Sequence, residues 1–365
     1  MRILFNNIYK DKKVFITGHT GFKGSWLSFW LTKLGAEVTG YSKDKVSEPN
    51  HFDLLKLPIK SITGNVLDKE KLYKAIEENK PDIIFHMAAQ PLVLTSYKNP
   101  SETFETNIMG TVNVLESARL LNIKAIVNIT SDKCYKNTEK EDGYQETDPM
   151  GGDDPYSSSK GCAELVAHAY RKSFFEIENY KKNHNTLLAN VRAGNVIGGG
   201  DWALDRLVPD IMKSTQENKK TTIRKPNASR PWQHVLEPLS GYLLIGEKLL
   251  SEQKEYSDNW NFGPIDNKGM SVKDVLFLIK ENWPSVEYEI QENSENVPET
   301  NLLLLNTEKS SNQLNWKSIW NIEKTINKTV SWYKEYYKNN KIQTEKDLEE
   351  YITDAENSKA SWIKV

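Results

Sequence analysis

The chain has 365 residues, which at roughly 150 residues per domain predicts about two domains and ample material for a buried core. Its 48 Lys and Arg stand against 50 Asp and Glu, and the net charge of -2 argues against nucleic acid or an anionic membrane as the main partner. A mean hydropathy of -0.63, with no run near the ~18 apolar residues of a membrane span, argues for a cytoplasmic protein, and Cys134 and Cys162 with six scattered His argue against a disulfide framework or a metal site.

In chain order, residues 13–17 (KVFIT) read as a strand, 24–34 as a helix, 37–41 (EVTGY) as a strand, 69–78 as a helix and 82–86 (DIIFH) as a strand. The alternation continues with a helix over 107–121, a strand over 125–130, a long helix over 156–175 and a strand over 187–191. Continuous apolar runs separated by helical periods predict parallel strands covered on both faces, in a doubly wound α/β sheet of about seven strands. After Gly198 the rhythm breaks into Gly-, Pro-, Asn- and Trp-rich sequence with separate helices at 238–250 and 272–281, which predicts a smaller second domain.

The first strand runs into Gly18-His-Thr-Gly21-Phe-Lys-Gly24 and then a helix. Glycines there permit a tight turn and close backbone approach, so that a pyrophosphate rests on the helix amino end. The G-x-x-G-x-x-G spacing points to a short-chain dehydrogenase/reductase layout of the Rossmann type. The second strand ends at Tyr41-Ser42-Lys43, where a ribose-binding Asp or Glu usually stands, so these residues leave NAD and NADP both open. Asn65-Val66 is placed to meet the adenine. Residues 1–190, with a return segment near 234–262, are expected to form the dinucleotide domain; 191–233 and 263–345 form a smaller C-terminal substrate-binding domain, and 346–365 a polar tail, with the helical pattern at 345–351 expected as a packed surface helix.

Tyr156-Ser-Ser-Ser-Lys160 sets a phenol and an ammonium four residues apart on one helix face. The ammonium is expected to lower the phenol's pKa towards working pH, making it a base for an alcohol proton. Seven of the 48 basic residues are Arg, and Arg192, Arg206, Arg224 and Arg230 crowd into one stretch, where a planar fork suits phosphate or carboxylate.

With these strings in view, the chain resembles the extended short-chain dehydrogenases/reductases that act on nucleotide sugars, most closely the CDP-glucose 4,6-dehydratases, to about residue 335. The match is carried by ITGHTGFKGSWL (16–27), HMAAQPLV (86–93), TNIMGTVNVLE (106–116), TSDKCY (130–135), DPYSSSKGCAELV (154–166), VRAGNVIGGGDWALDRLVPD (191–210) and RPWQHVLEPLSGYL (230–243). The resemblance implies NAD as cofactor, held by Gly18, Thr20, Gly21, Phe22, Lys23, Gly24, Asn65, Val66, Ala88, Ala89 and Gln90, with Tyr156 and Lys160 at its reactive end. It implies catalysis by Ser131, Asp132, Lys133, Tyr156 and Lys160. The Asp132-Lys133 pair is the CDP-glucose pattern, with Asp132 as acid for the departing 6-hydroxyl and Lys133 as C5 base or enolate stabiliser. Asn195, Arg206, Arg230, Gln90 and Trp202 are implied substrate contacts, although Trp202, like Trp232, suits a core equally well. Arg192 is expected to brace the strand end, and Asn107 to distort its helix and help order Lys160. Leu94 stands where the family usually has Arg. The implied activity is dehydration of CDP-D-glucose to CDP-4-dehydro-6-deoxy-D-glucose, feeding deoxysugar synthesis for a surface polysaccharide, by a homodimer or homotetramer. The alternatives are a 4,6-dehydratase, an epimerase or a reductase acting on another nucleotide sugar, and an idle Rossmann scaffold.

Overall fold

Seven short runs form one parallel sheet: β1 (Lys13–Thr17), β2 (Glu37–Ser42), β3 (Lys60–Thr63), β4 (Ile83–His86), β5 (Ala125–Ile129), β6 (Leu187–Ala193) and β7 (Asn259–Phe262), in the order β7-β6-β5-β4-β1-β2-β3. The computed structural model describes residues 2–43, 45, 47–264, 269–291 and 302–364. The strand order reverses between β1 and β4, and a crevice opens there at the carboxyl ends of the strands.

The apolar runs have side chains on both faces, so each strand alternates between two cores. Val14, Ile16, Phe85, Val127 and Val191 pack on one side, under α1 (Phe22–Lys33) and the buried helix Leu236–Leu250. Phe15, Ile84, Ile126 and Leu188 pack on the other, against Leu72 and Ile76 of α2 (Lys69–Asn79), Val114 and Leu115 of α3 (Gly110–Leu120), and Ala167 of α4 (Pro155–Ser173). The sheet agrees with the predicted class.

A second lobe has its own core of Trp202, Val208, Ile211, Met212, Val275, Ile279, Val330 and Trp332, built from α5 (Leu207–Gln216) and the later helices Val272–Asn282 and Ile322–Asn339. Residues 346–364 of the expected polar tail pack onto the fold, beginning with a helix over the stretch where a packed surface helix is expected. Helix Thr344–Asn357 buries Leu348, Tyr351 and Ala355 in the sheet's first core, Trp362 joins them, and Ile363–Lys364 pairs antiparallel with Ile3–Leu4. The apolar positions fall three, four and seven residues apart, a stripe that the surrounding charge masks in composition. Among the described residues no helix is long and apolar enough to cross a membrane, and no cluster of His, Cys, Asp or Glu is placed to hold a metal.

Candidate active site

At the end of β1, Gly18 takes a left-handed φ of 77° and its N–H donates to Tyr41 O at 2.8 Å. A Cβ here would stand 2.8 Å from Ala88 N, so only glycine lets the loops after β1 and β4 touch. At Gly24 a Cβ would reach within 2.1 Å of Gly18 O, whereas at Gly21, the N-cap of α1, it would meet only Gly18 O at 3.4 Å. The space over the helix amino end is therefore open, and a dinucleotide pyrophosphate fits it.

The loop is braced from below by His19, whose ring nitrogens lie 2.8 Å from Ser42 Oγ and 2.7 Å from Ser61 Oγ. Burial lowers its pKa to about 4, so it stays neutral. The end of β2 thus serves the loop through Ser42, while Lys43 pairs with Glu102 at 3.2 Å on the surface. Asn65 Oδ1 accepts from Leu67 N, and Val66 is buried with its carbonyl accepting from Asn113 Nδ2. Ala88 N donates to Thr17 Oγ1.

After β5 the chain turns through Asp132–Cys134, a 3₁₀ turn whose cap, Ser131 Oγ, accepts from Lys133 N at 3.2 Å and donates to Asp132 Oδ1 at 2.9 Å. Asp132 Oδ2 is buried and has no hydrogen-bond partner among the described residues. Burial raises the Asp132 pKa against the pull of Lys133, Ser131 and Arg230. The carboxyl is therefore held towards its protonated form. Asp154 caps α4, accepting from Ser157 N at 2.9 Å, and so sets Tyr156 in the first turn with Lys160 one turn on.

The expected lowering of the Tyr156 pKa is not what the resting structure has. Burial pushes it up to about 12; the Ser131 hydroxyl and Arg206 oppose this, while Asp132 and Asp154 add to it. Lys160 Nζ donates to Ile129 O at 3.4 Å, and burial lowers its own pKa to about 8. Asn107 lies in a π-helical turn, Glu105–Met109, where Nδ2 donates to Ser159 Oγ at 2.8 Å and Oδ1 accepts from Gln90 N at 2.8 Å. It ties the loop after β4 to α4 between Tyr156 and Lys160.

Ser131, Asp132, Lys133, Tyr156, Asn195, Arg206 and Arg230 line one cavity of about 420 Å³ between the sheet and the second lobe, with Phe22, Lys23 and Leu94 also on its wall. Arg206 Nη1 pairs with Asp201 Oδ2 at 2.8 Å, and Arg230 Nη1 donates to Ser229 O at 2.8 Å. Arg192 is buried away from it, donating through Nε and Nη2 to Glu164 at 2.7 and 2.8 Å beneath Thr130.

Two implied substrate contacts are not brought to this cavity. Gln90 is committed to its own loop, its Nε2 donating to Leu92 O and Thr103 Oγ1 and its Oε1 accepting from Leu92 N. Trp202 packs against Trp332, Tyr333 and Tyr336, and its Nε1 donates to Tyr337 Oη at 3.1 Å. Trp232 lines the cavity instead. Tyr242, unforeseen from sequence, is fully buried with no partner for Oη among the described residues, and its ring lies 6.0 Å from Lys23 Nζ. Its only signal was its place inside a helix far along the chain.

A parallel sheet with a glycine loop at its switch point and a Tyr/Lys helix beside the crevice defines the class of extended short-chain dehydrogenases/reductases. The epimerase Mth375 of Methanothermobacter thermautotrophicus superposes with a TM-score of 0.79 at 21% identity, over 91% of this chain and 95% of that one. A dTDP-glucose 4,6-dehydratase of Bacillus anthracis, solved with NAD, superposes with a TM-score of 0.72 at 21% identity, over 89% and 97%. A family model described as GDP-mannose 4,6 dehydratase matches residues 15–329. The CDP-glucose 4,6-dehydratase of Salmonella typhimurium is 48% identical over 352 residues, covering 95% of this chain and 98% of its own. The chain belongs to the GDP-mannose 4,6 dehydratase family.

Proposed function

We propose that the protein is an NAD-dependent hydro-lyase that converts CDP-D-glucose to CDP-4-dehydro-6-deoxy-D-glucose. The observation that carries this reading is the buried, unpartnered Oδ2 of Asp132, a residue that lines one cavity with Tyr156 and is followed in sequence by Lys133. Epimerisation at C4 needs no acid at C6, whereas water loss does.

The nicotinamide of NAD would supply a two-electron hydride acceptor for C4 and the same hydride for C6, so that the net change is loss of one water. Tyr156 Oη takes the 4-hydroxyl proton, with Ser131 Oγ orienting that hydroxyl. The C4 ketone makes the C5 proton acidic. Lys133, next to Asp132 in the chain, takes that proton as a neutral amine or, as an ammonium, holds the enolate charge. Asp132 gives its proton to the 6-hydroxyl as the C6–O bond breaks, and a proton from solvent restores C5. The glycine loop holds the pyrophosphate of the cofactor, and Arg230 and Arg206 hold the substrate diphosphate. Incubation with CDP-, UDP-, dTDP- and GDP-glucose should yield a 4-keto-6-deoxy product from CDP-glucose; product from another nucleotide alone would overturn the base assignment.

Arg230→Ala should raise KM roughly ten- to a hundredfold with cofactor content unchanged, because a charge-assisted hydrogen bond contributes about 1.5–3 kcal/mol and this one meets the substrate, not the cofactor. Arg230→Lys should recover only part of it. Loss of cofactor in the alanine variant would make Arg230 a structural residue.

The chain is also expected to act in the cytoplasm as a homodimer or homotetramer through the helical stretches 107–121 and 156–175. What supports this is their apolar exposure: Met109, Leu120, Leu165 and Phe174 are 47–58% exposed. Light scattering at micromolar concentration should give at least twice the chain mass, and a monomer mass would contradict it.

A further inference from the structure

We infer that Asp210 accepts a hydrogen bond from the exocyclic amine of cytosine and is the residue by which the cavity prefers a 4-amino pyrimidine to a 4-oxo one. This rests on the nucleotide-sugar reading above and goes beyond it by naming what reads the base. The charges along the cavity run in a definite order. Asp201 and Tyr156 both act on Arg206, whereas the charges that weigh most on Asp210 are those of Asp205, Lys213, Arg224 and Asp201. Asp210 therefore lies beyond the arginine that meets the diphosphate, on the side away from the reacting sugar. That is where the base of a nucleotide sugar falls.

The surroundings suit a flat heterocycle. Val208, Ala228, Trp232 and Val272 line the same cavity with Asp210, and Thr222, Ile223 and Arg224 stand on its wall. Asp210 sits in the first turn of α5, its N–H donating to Arg206 O, so the helix holds it one turn beyond Arg206 on the cavity wall. That carboxylate makes no hydrogen bond or ion pair among the described residues, so its acceptor capacity is unspent. Burial and then Asp205 raise its pKa to about 6, which leaves it ionised at neutral pH. A carboxylate accepts from the cytosine amine, whereas the O4 of uracil or thymine would face it lone pair to lone pair.

The test is calorimetric binding of CDP and of UDP to the NAD-loaded protein. Wild type should bind CDP at least about tenfold more tightly. Asp210→Ala should lose most of that ratio by weakening CDP alone. Asp210→Asn, whose amide can turn an N–H towards O4, should lose it by gaining UDP. Unfolding is controlled by melting temperature and by Arg230→Ala, which should weaken both nucleotides alike. A CDP-to-UDP ratio unchanged in both Asp210 variants would overturn the inference while leaving dehydration intact. A ratio that collapses as stated, in a protein that makes no 4-keto product from CDP-glucose, would uphold Asp210 and sink the dehydratase reading.

Discussion

Tyr156→Phe should cut turnover of CDP-glucose by about a thousandfold or more, within or beyond the roughly 10²–10⁴ that a positioned acid or base contributes. The variant keeps the ring and its packing and loses only Oη, so melting temperature and CDP affinity should stay near wild type. In the resting structure the phenol is held protonated, near a pKa of about 12, by burial. Its proton uptake therefore depends on groups that favour the phenolate, Ser131 and Arg206 among them. Removing Ser131 Oγ should add to the defect in the same direction. Retention of a tenth of wild-type turnover in Tyr156→Phe would move the base elsewhere.

Asp132→Asn should lower product formation about a hundred- to a thousandfold while leaving the first half of the reaction running. The amide fills the same buried space and can no longer give a proton to the 6-hydroxyl. C4 is still oxidised, so the C5 proton becomes exchangeable, and return of the hydrogen to C4 regenerates substrate. Unreacted CDP-glucose recovered from heavy water should carry deuterium at C5 with this variant and none with Tyr156→Phe. Lys133→Ala should lose the C5 label if Lys133 is the base and keep it if it only holds the enolate charge. Absence of label with Asp132→Asn would make Asp132 a participant in the oxidation, against the division of roles drawn above.

Much of the frame was legible because the chemistry sits in short contiguous strings. A buried parallel strand must be apolar on both faces, so 13–17, 83–86 and 125–129 announce themselves, and the glycine loop and the Tyr156/Lys160 turn follow from local rules. What stayed hidden depends on tertiary surroundings. Burial decides the Tyr156 pKa, and no spacing reports burial. Trp202 and Trp232 look alike in sequence, yet one packs among Trp332, Tyr333 and Tyr336 and the other faces the cavity. The Gln90 amide is consumed by Leu92 and Thr103, which lie close only once the loop is folded. Leu348, Tyr351 and Trp362 read as part of a polar end because their partners in the sheet's core lie hundreds of residues away.

The central claim is that one active site oxidises C4, removes water across C5 and C6, and delivers the same hydrogen to C6. CDP-glucose carrying deuterium at C4, turned over in ordinary water, should give product with that deuterium at C6 of the same molecule, and unlabelled substrate in heavy water should give one deuterium at C5. Product that keeps the deuterium at C4, or release of NADH in step with turnover, would contradict the account and place the protein with the epimerases or reductases.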